Sequence, residues 1–94
     1  MVDVSTIKNR LRINHSKLDD QLAQDIATAK AELVRVGISE TAVNNENDPL
    51  IDYAIVSYCM WAESSDDRAD SYKIQWFQRK DELRKTPKYQ VESE

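Results

Sequence analysis

The chain has 94 residues, of which 40% are apolar and 32% are charged, with one glycine, one cysteine and one histidine. A chain this short folds as one domain, because hydrophobic cores divide only beyond roughly 250 residues. The single glycine excludes the glycine-rich loops that cradle phosphate and disfavours hairpins with tight turns, so we expect an all-α protein. The formal net charge of −4 makes DNA binding a poor first hypothesis, because an acidic protein repels phosphate at long range.

Cysteine usage and apolar patterning predict a chain made in the cytoplasm. The single cysteine, Cys59, cannot form an internal disulfide, so the fold does not depend on an oxidising compartment. The first twelve residues carry four charged side chains and lack the apolar run of a signal peptide. No segment reaches the roughly 20 apolar residues that a membrane span needs, so we expect no membrane association.

Helix signals divide the chain into four predicted helices, and the first two precede the only glycine. The first covers about Ser5 to Leu11, with Ser5 as its cap. The second follows a capping box formed by Ser16 and Asp19 and carries one apolar stripe. It ends at Gly37, which suits the left-handed residue just past a helix.

A polar loop separates the second and third predicted helices. Residues 38–48 are rich in side chains that favour turns, so we expect a flexible loop. Asp48 and Pro49 then form a strong helix start, and the third helix runs to about Glu63. This helix is apolar nearly all round, apart from a narrow polar strip that includes Cys59. We expect it to be the buried centre of the domain or to contact another molecule.

The fourth helix completes a small bundle of about four helices. It follows a capping box at Ser64 and Asp67 and should end just before Pro87, which disfavours helical geometry at the preceding residue. Residues 1–85 are therefore the predicted helical domain. Residues 86–94 are the predicted flexible, disordered C-terminal tail, which has little to pack against.

The sequence contains no pattern typical of a catalytic, metal or cofactor site. His15 lies in a polar turn and Cys59 on a crowded helix, where we expect a solvated side chain and a small packing residue. A lone histidine cannot supply the paired ligands of helical metal sites. The acidic pairs fall at predicted helix starts, where the helix dipole explains them. We therefore expect no enzymatic activity and no cofactor.

The last helix carries the one feature that suits contact with nucleic acid. Seven of the thirteen basic residues lie between residues 68 and 88. Lys73, Lys80 and Arg84 lie beside the apolar stripe of this helix. Acidic residues are interspersed among them, which favours a solvated or interface-forming face over phosphate contact. The aromatic residues are likewise more typical of a core than of a base-stacking platform.

Several features follow one another in a distinctive order. Residues 11–13 read Leu-Arg-Ile, a polar turn with His15 follows, and the acidic pair at 19–20 opens an alanine-rich helix. After a variable loop, Pro49 starts an apolar helix with aromatic residues. With these features, residues 4–85 resemble the head-to-tail connector proteins of tailed bacteriophages, which complete the head after DNA packaging.

The resemblance implies a structural virion protein. In such proteins a ring of about twelve copies docks on the phage portal after DNA packaging, at the head-tail junction, and links it to the stopper or tail completion protein. DNA passes through the ring without sequence-specific contact, which suits an acidic subunit. In a cyclic ring, each contact joins one face of a subunit to a different face of its neighbour.

Two sets of residues are candidates for these contacts. In the tail, Tyr89 and Val91 are the expected anchors on the portal, with Lys88 steering the approach. Contact with a neighbouring subunit or with the next ring is expected from the polar loop, the apolar third helix and the basic last helix. The residues of this second set are Ser39, Glu40, Glu46, Asp48, Tyr53, Met60, Lys73, Lys80 and Arg84.

Two other functions fit the same sequence. The chain could be a small nucleic-acid-binding protein whose last helix contacts phosphate, which predicts DNA affinity that falls steeply with salt. It could also be a regulatory adaptor that dimerises through Trp61, Met60 and Tyr53. The mass of the assembly in solution separates a dimer from a ring.

Overall fold

The protein is a helical bundle with four main helices and one short one. The computed structural model describes residues 3–44, 48–64 and 67–90. These residues contain no β-strand, and Ile38 and Gln90 form one isolated antiparallel bridge. The predicted all-α class is confirmed. The elements are α1 (Val4–Leu11), α2 (Asp19–Arg35), α3 (Glu40–Val43), α4 (Pro49–Glu63), α5 (Arg68–Lys85) and a 3-10 turn (Pro87–Tyr89).

Helix α4 is the centre of the domain. Its start is fixed by Asp48, whose Oδ1 accepts hydrogen bonds from the backbone N–H groups of Leu50 (3.0 Å) and Ile51 (3.4 Å). Pro49 takes the first helical position, where its missing N–H is no loss. The helix packs against α1, α2 and α5, and seven of its fifteen residues are buried. The predicted bounds and the predicted central position are confirmed.

The core collects apolar residues from every element. Helices α4 and α5 run antiparallel, because Tyr58 meets Trp76 and the earlier residue Tyr53 meets the later residue Arg79. Helix α2 packs its predicted apolar stripe on α4. The buried apolar residues are Ile7, Leu22, Ile26, Ala29, Leu33, Ile38, Val43, Ile51, Ala54, Ile55, Val56, Cys59, Met60, Trp76, Leu83 and Tyr89.

Gly37 ends α2 as predicted. Its φ is 106°, a backbone conformation that residues with a Cβ rarely adopt. The Gly37 N–H donates to the carbonyl of Val34 (3.0 Å), and the Ile38 N–H donates to the carbonyl of Leu33 (3.1 Å). This is the hydrogen-bond pattern of a Schellman motif, which satisfies the last carbonyls of a helix and turns the chain sharply.

Arg12 ends α1 in the same way, although it carries a side chain. Its φ is 58° and its ψ is 42°. The Arg12 N–H donates to the carbonyl of Asn9 (3.3 Å), and the Ile13 N–H donates to the carbonyl of Lys8 (2.9 Å). A left-handed conformation costs a residue other than glycine roughly 1–2 kcal/mol. The Leu-Arg-Ile sequence at 11–13 is therefore a strained helix end.

Three predicted helix caps differ from those in the structure. Asp3, not Ser5, caps α1, because its carboxylate accepts the backbone N–H three residues on (2.9 Å). The predicted capping box of Ser16 and Asp19 is wrong, since α2 has no side-chain cap. The predicted capping box of Ser64 and Asp67 is also wrong: Ser64 is the C-cap of α4, and Asp67, which directly precedes α5, has helical φ and ψ (−61° and −19°) and makes no capping hydrogen bond. Caps need extended backbone at the cap residue, which sequence spacing alone does not determine.

The first part of the predicted tail is packed on the domain. The phenol of Tyr89 donates to Oδ1 of Asp48 (3.0 Å), and only 1% of Tyr89 is exposed. The Ser39 N–H donates to the carbonyl of Tyr89 (2.6 Å). The prediction of a disordered tail is therefore wrong for residues 86–90, because an aromatic ring there fills the core. Residues 91–94 lie outside the described part of the chain.

The predicted flexible loop is also partly structured. Residues 40–43 form α3, and Ile38 and Val43 are buried. These two apolar residues hold residues 38–44 against the core despite their polar neighbours, so this part of the predicted loop is packed. Residues 45–47 lie outside the described part of the chain.

Candidate interaction surface

Aromatic side chains fill the contact between α4 and α5. The ring of Tyr58 meets that of Trp76 edge-on, with centroids 5.1 Å apart, and that of Trp61 at 5.9 Å. Trp61 also lies 6.0 Å from Phe77. Trp76 is fully within the core, whereas 46% of Phe77 is exposed. The cluster therefore runs from the core of the domain out to its surface.

Two lysines cover the outer rings of this cluster. The ammonium of Lys80 lies 4.5 Å from the centroid of Phe77 and 5.3 Å from that of Trp76. The ammonium of Lys73 lies 5.8 Å from the centroid of Trp61. A cation over an aromatic face is attracted by the ring quadrupole. In the described part of the chain, neither lysine forms an ion pair within 4 Å of a carboxylate.

Four residues of α5 together form a surface that we call the α5 ridge: Lys73, Ile74, Phe77 and Lys80. Their spacing of one, three and three residues places them within about 120° of arc on one helix face. Ile74 is 57% exposed, more than any other large apolar residue of the described chain. Exposed apolar side chains beside unpaired cations are typical of a surface that another molecule covers.

Arg84 does not extend the ridge. Its guanidinium lies 2.7 Å from Oδ1 of Asp81, and Lys85 lies 2.9 Å from Oδ2 of the same residue. Hydrogen bonds from Arg84 and Lys85 hold the pKa of Asp81 below its usual range. Asp81 thus neutralises part of the charge at the end of α5, and Arg84 is the least available of the three predicted basic contacts.

Tyr53 and Met60 lie away from the ridge, beside α1. Tyr53 is 54% exposed and stacks under the guanidinium of Arg79 at 5.3 Å. Met60 is only 8% exposed, and most of its side chain packs inside the bundle, so it offers little surface to a partner. Trp61 packs on Tyr58 and Phe77. Only Tyr53 of the predicted dimer contacts is therefore widely open to solvent.

A groove between α1 and the α4–α5 pair was missed by the sequence predictions. Two adjoining recesses of about 410 and 360 Å³ share Arg10, Arg12, Met60 and Tyr72 as lining residues. The left-handed backbone of Arg12 turns the chain at the mouth of this groove. No sequence signal reveals the groove, because residues 10–12 and residues 53–75 meet only in the folded chain.

The predicted contacts of the loop are divided between surface and core. Glu40 is exposed at the start of α3, and the Ser39 N–H is bonded to Tyr89. Asp48 is 4% exposed because it caps α4 and accepts the phenol of Tyr89. Its carboxylate is therefore used within the subunit. Glu46 lies outside the described residues.

The tail residues are also divided. Lys88 is exposed, with its ammonium 5.3 Å from the ring of Tyr89. Tyr89 is buried, so it is not a free anchor for another protein. Burial and the hydrogen bond to Asp48 raise the pKa of Tyr89 to about 12. Val91 lies outside the described residues.

A pair of carboxyl groups joins α2 to α4, and sequence reasoning missed it. The side-chain amide of Gln21 donates to both oxygens of Glu63 (2.8 and 3.1 Å). Burial of Asp25 raises its pKa to about 7, as do a hydrogen bond to Glu63 and repulsion by that carboxylate. Asp25 therefore keeps its proton up to near neutral pH, where an isolated aspartate is ionised.

The two residues considered for catalysis lie apart and make structural contacts. Cys59 is fully buried, and this burial together with the nearby Asp25 and Glu63 raises the pKa of its thiol to about 12. It is a packing residue, as predicted. The His15 Nδ1 accepts the backbone N–H of Lys17 (3.2 Å) in an exposed turn. Among the described residues, no three His, Cys, Asp or Glu side chains are grouped to hold a metal ion.

Comparisons with known proteins add no relative. The chain matches no known protein family, and neither a curated protein nor a solved structure is similar to it. Within the described residues, no helix is both long and apolar enough to cross a membrane. Among the described residues, the α5 ridge is the surface best suited to bind another molecule, because its apolar side chains are exposed and lysines flank them.

Proposed function

We propose that this protein is a ring-forming subunit of the head-to-tail connector of a tailed bacteriophage. The ring docks on the portal protein after DNA packaging and links it to the stopper or tail completion protein, at the head-tail junction of the virion. The proposal combines the resemblance of residues 4–85 with one structural observation. That observation is the α5 ridge, where Ile74 and Phe77 are exposed beside Lys73 and Lys80, which form no ion pair within 4 Å in the described chain.

The charge distribution supports this role over tight DNA binding. Helix α5 carries six basic and three acidic residues, although the whole chain has a net charge of −4. The remainder of the chain is therefore strongly acidic and repels phosphate. A ring with acidic surfaces toward its channel lets DNA pass without holding it, while the basic helix remains available for protein contacts.

Electron microscopy of the protein mixed with portal complexes of the same phage or prophage tests the proposal. We expect an added ring-shaped layer under the portal, with about twelve copies in the ring. A portal that shows no added layer at saturating protein contradicts the proposal. A monomer in dilute solution does not, because a ring subunit can assemble on the portal alone.

Deleting the predicted tail is a poor test of whether it contacts the portal. Removing residues 86–94 deletes Tyr89 from the core and is expected to destabilise the whole domain. Lys88→Glu changes an exposed charge beside the buried ring and leaves the core intact. If Lys88 steers the tail to the portal, this variant lowers the association rate, whereas Lys17→Glu, in an exposed turn, leaves it unchanged.

The second candidate function is DNA binding through α5. It is favoured by one observation: Lys73 and Lys80 lie over aromatic rings, and among the described residues no carboxylate lies within 4 Å of either ammonium. Titration of fluorescent duplex DNA at several salt concentrations tests it. A slope of log affinity against log salt of about −2, reduced by Lys73→Ala and Lys80→Ala, indicates phosphate contact through the two lysines. Weak binding that both variants leave unchanged excludes it.

A further inference from the structure

The charge of the chain is strongly asymmetric, and the asymmetry limits how two copies can meet. Helix α5 has three more basic than acidic residues, and the rest of the chain carries the opposite charge in excess. A symmetric contact of α5 with α5 brings two positive surfaces together and is disfavoured by Coulomb repulsion. A contact of α5 with another part of the next copy is favoured.

An open apolar recess lies between α2 and α3. It has a volume of about 340 Å³ and is lined by Lys30, Ala31, Val34, Glu40, Val43 and Asn44. Its surface is mainly apolar, and Val34 is 37% exposed there. Glu40 supplies the one carboxylate of its lining. The recess therefore offers the α5 ridge an apolar surface for its apolar side chains and, at Glu40, a carboxylate to face a lysine, while Lys30 is the one cation of the lining.

The recess and the ridge lie on different sides of one subunit. Glu32 faces α5, because the charge of Lys80 helps to lower the pKa of Glu32. Val34 follows two residues later, about 200° around the axis of α2, and contributes to the recess on the opposite flank. Two complementary surfaces on different sides produce a head-to-tail contact that repeats from copy to copy, closing into a ring or extending as a filament.

We propose that Ile74 and Phe77 of one copy dock into the recess between α2 and α3 of the next copy. Lys73 and Lys80 flank these apolar side chains and face the edge formed by Glu40. The occupant of the recess is thus a second copy of this chain. This inference rests on the proposed ring, since it names the two surfaces through which neighbouring subunits of that ring meet.

Disulfide cross-linking between chosen positions tests the contact directly. Val34→Cys and Ile74→Cys place a thiol on each surface, and both positions are exposed, so the fold is expected to tolerate the changes. After oxidation, a mixture of the two single variants should give dimers. The double variant should give a ladder of larger species, and the unaltered chain, whose Cys59 is buried, should give none.

The cross-linking is carried out at about 1 mM subunit and again on portal complexes. Failure of the mixed cross-link under both conditions overturns the inference. The inference is also overturned if Ile74→Cys alone cross-links as efficiently as the mixture, because such a dimer reports a symmetric contact of α5 with α5. Circular dichroism of each variant confirms that the helical fold is retained.

Charge changes at the recess provide matched controls. Lys30→Glu makes the recess more acidic and should raise the yield of the mixed cross-link several-fold, whereas Glu40→Lys should lower it about tenfold. Asp20→Lys changes charge elsewhere on α2, in its first turn, and should have a smaller effect than Glu40→Lys. Equal effects of the two acidic-to-lysine changes contradict the specific contact.

The failure of this inference is distinguishable from the failure of the proposed function. A cross-linked ladder without an added layer on the portal overturns the connector role and keeps the contact. A portal layer of unchanged occupancy with both Phe77→Glu and Val34→Lys overturns the contact and keeps the connector role. A layer that both variants reduce at least about tenfold supports both proposals.

Discussion

The phenol of Tyr89 donates a hydrogen bond to Oδ1 of Asp48, 3.0 Å away, across 41 residues of sequence. The same carboxylate oxygen accepts the backbone N–H groups of Leu50 and Ile51 at the start of α4. Both side chains are buried. This hydrogen bond therefore links the C-terminal segment to the start of α4. A change that displaces either of them should weaken the packing of the other.

Removing the Tyr89 hydroxyl, or the whole side chain, should lower the free energy of unfolding. Tyr89→Phe keeps the ring in the core but removes its hydrogen bond, and we expect the free energy of unfolding to fall by about 1 kcal/mol. Tyr89→Ala also leaves a cavity, with an expected loss of about 3–5 kcal/mol. Urea unfolding followed by circular dichroism measures both. Tyr53→Phe, at an exposed tyrosine, is the matched control, and equal effects of the two Tyr→Phe changes would contradict the role of the hydrogen bond.

The pair of Asp25 and Glu63 should make stability depend on pH. The pKa of Asp25 is raised from 3.8 to about 7 in the folded chain, by burial and by Glu63. Between these two values the folded protein holds a proton that the unfolded chain has lost, so stability should fall as pH rises through this window and then level off.

Asp25→Asn removes the ionisable group and should weaken this dependence. At pH 8 we expect the variant to be more stable than the unaltered chain by about 1 kcal/mol, a modest gain because Asp25 is partly open to solvent, with Tm higher by roughly 4–8 °C. Unfolding at pH 5 and pH 8 measures the difference. Glu82→Gln, on an exposed part of α5, is the control. The same pH dependence in both variants would exclude the carboxyl pair as its source.

Gly37 and Arg12 each end a helix with left-handed backbone, and substituting them should change the stability of the protein in opposite directions. Gly37→Ala adds a Cβ that meets no atom within 4 Å, so its cost comes from the φ of 106° and not from a clash. We expect a loss of about 1 kcal/mol. Arg12→Gly relieves the φ of 58° and should stabilise the chain by about 0.5 kcal/mol, a gain reduced by the entropy of glycine in the unfolded state. Thermal unfolding that shifts Tm in the same direction for both would show that backbone strain is not the cause.

Cys59 should be inert in the native protein. The thiol is fully buried and its pKa is raised to about 12, first by burial and then by the charges of Asp25 and Glu63. Because the thiolate is the reactive form, we expect a disulfide reagent at pH 8 to react at least about a hundredfold more slowly than in urea-unfolded chain. Val34→Cys, with an added exposed thiol, is the control. A native Cys59 that reacts as fast as the added thiol would contradict this burial.

Local signals made several elements predictable. Asp48 and Pro49 start α4 and Gly37 ends α2, because capping and left-handed turns depend on a few neighbouring residues. The period of apolar residues predicted the buried stripe of α2. The predicted caps at Ser5, Ser16 and Ser64 are wrong, since several nearby polar residues could serve and tertiary packing selects the backbone conformation.

The candidate surface was predictable only in part. Lys73 and Lys80 were identified from charge, but the exposure of Ile74 and Phe77 beside them was not. Met60 was expected at an interface because α4 is apolar nearly all round. The bundle buries that residue and leaves apolar surface on α5 instead. Which apolar residues remain uncovered depends on how the helices are rotated against one another.

The sequence by itself determined an all-α domain with four main helices, a central α4 and no internal disulfide, because composition, periodicity and helix caps are local properties. Only the tertiary structure decided that Tyr89 belongs to the core, that Asp25 meets Glu63, and that a recess lies between α2 and α3. Each of these features joins residues far apart in the chain. Their contacts depend on the packing of whole helices, for which the sequence carries no short-range signal.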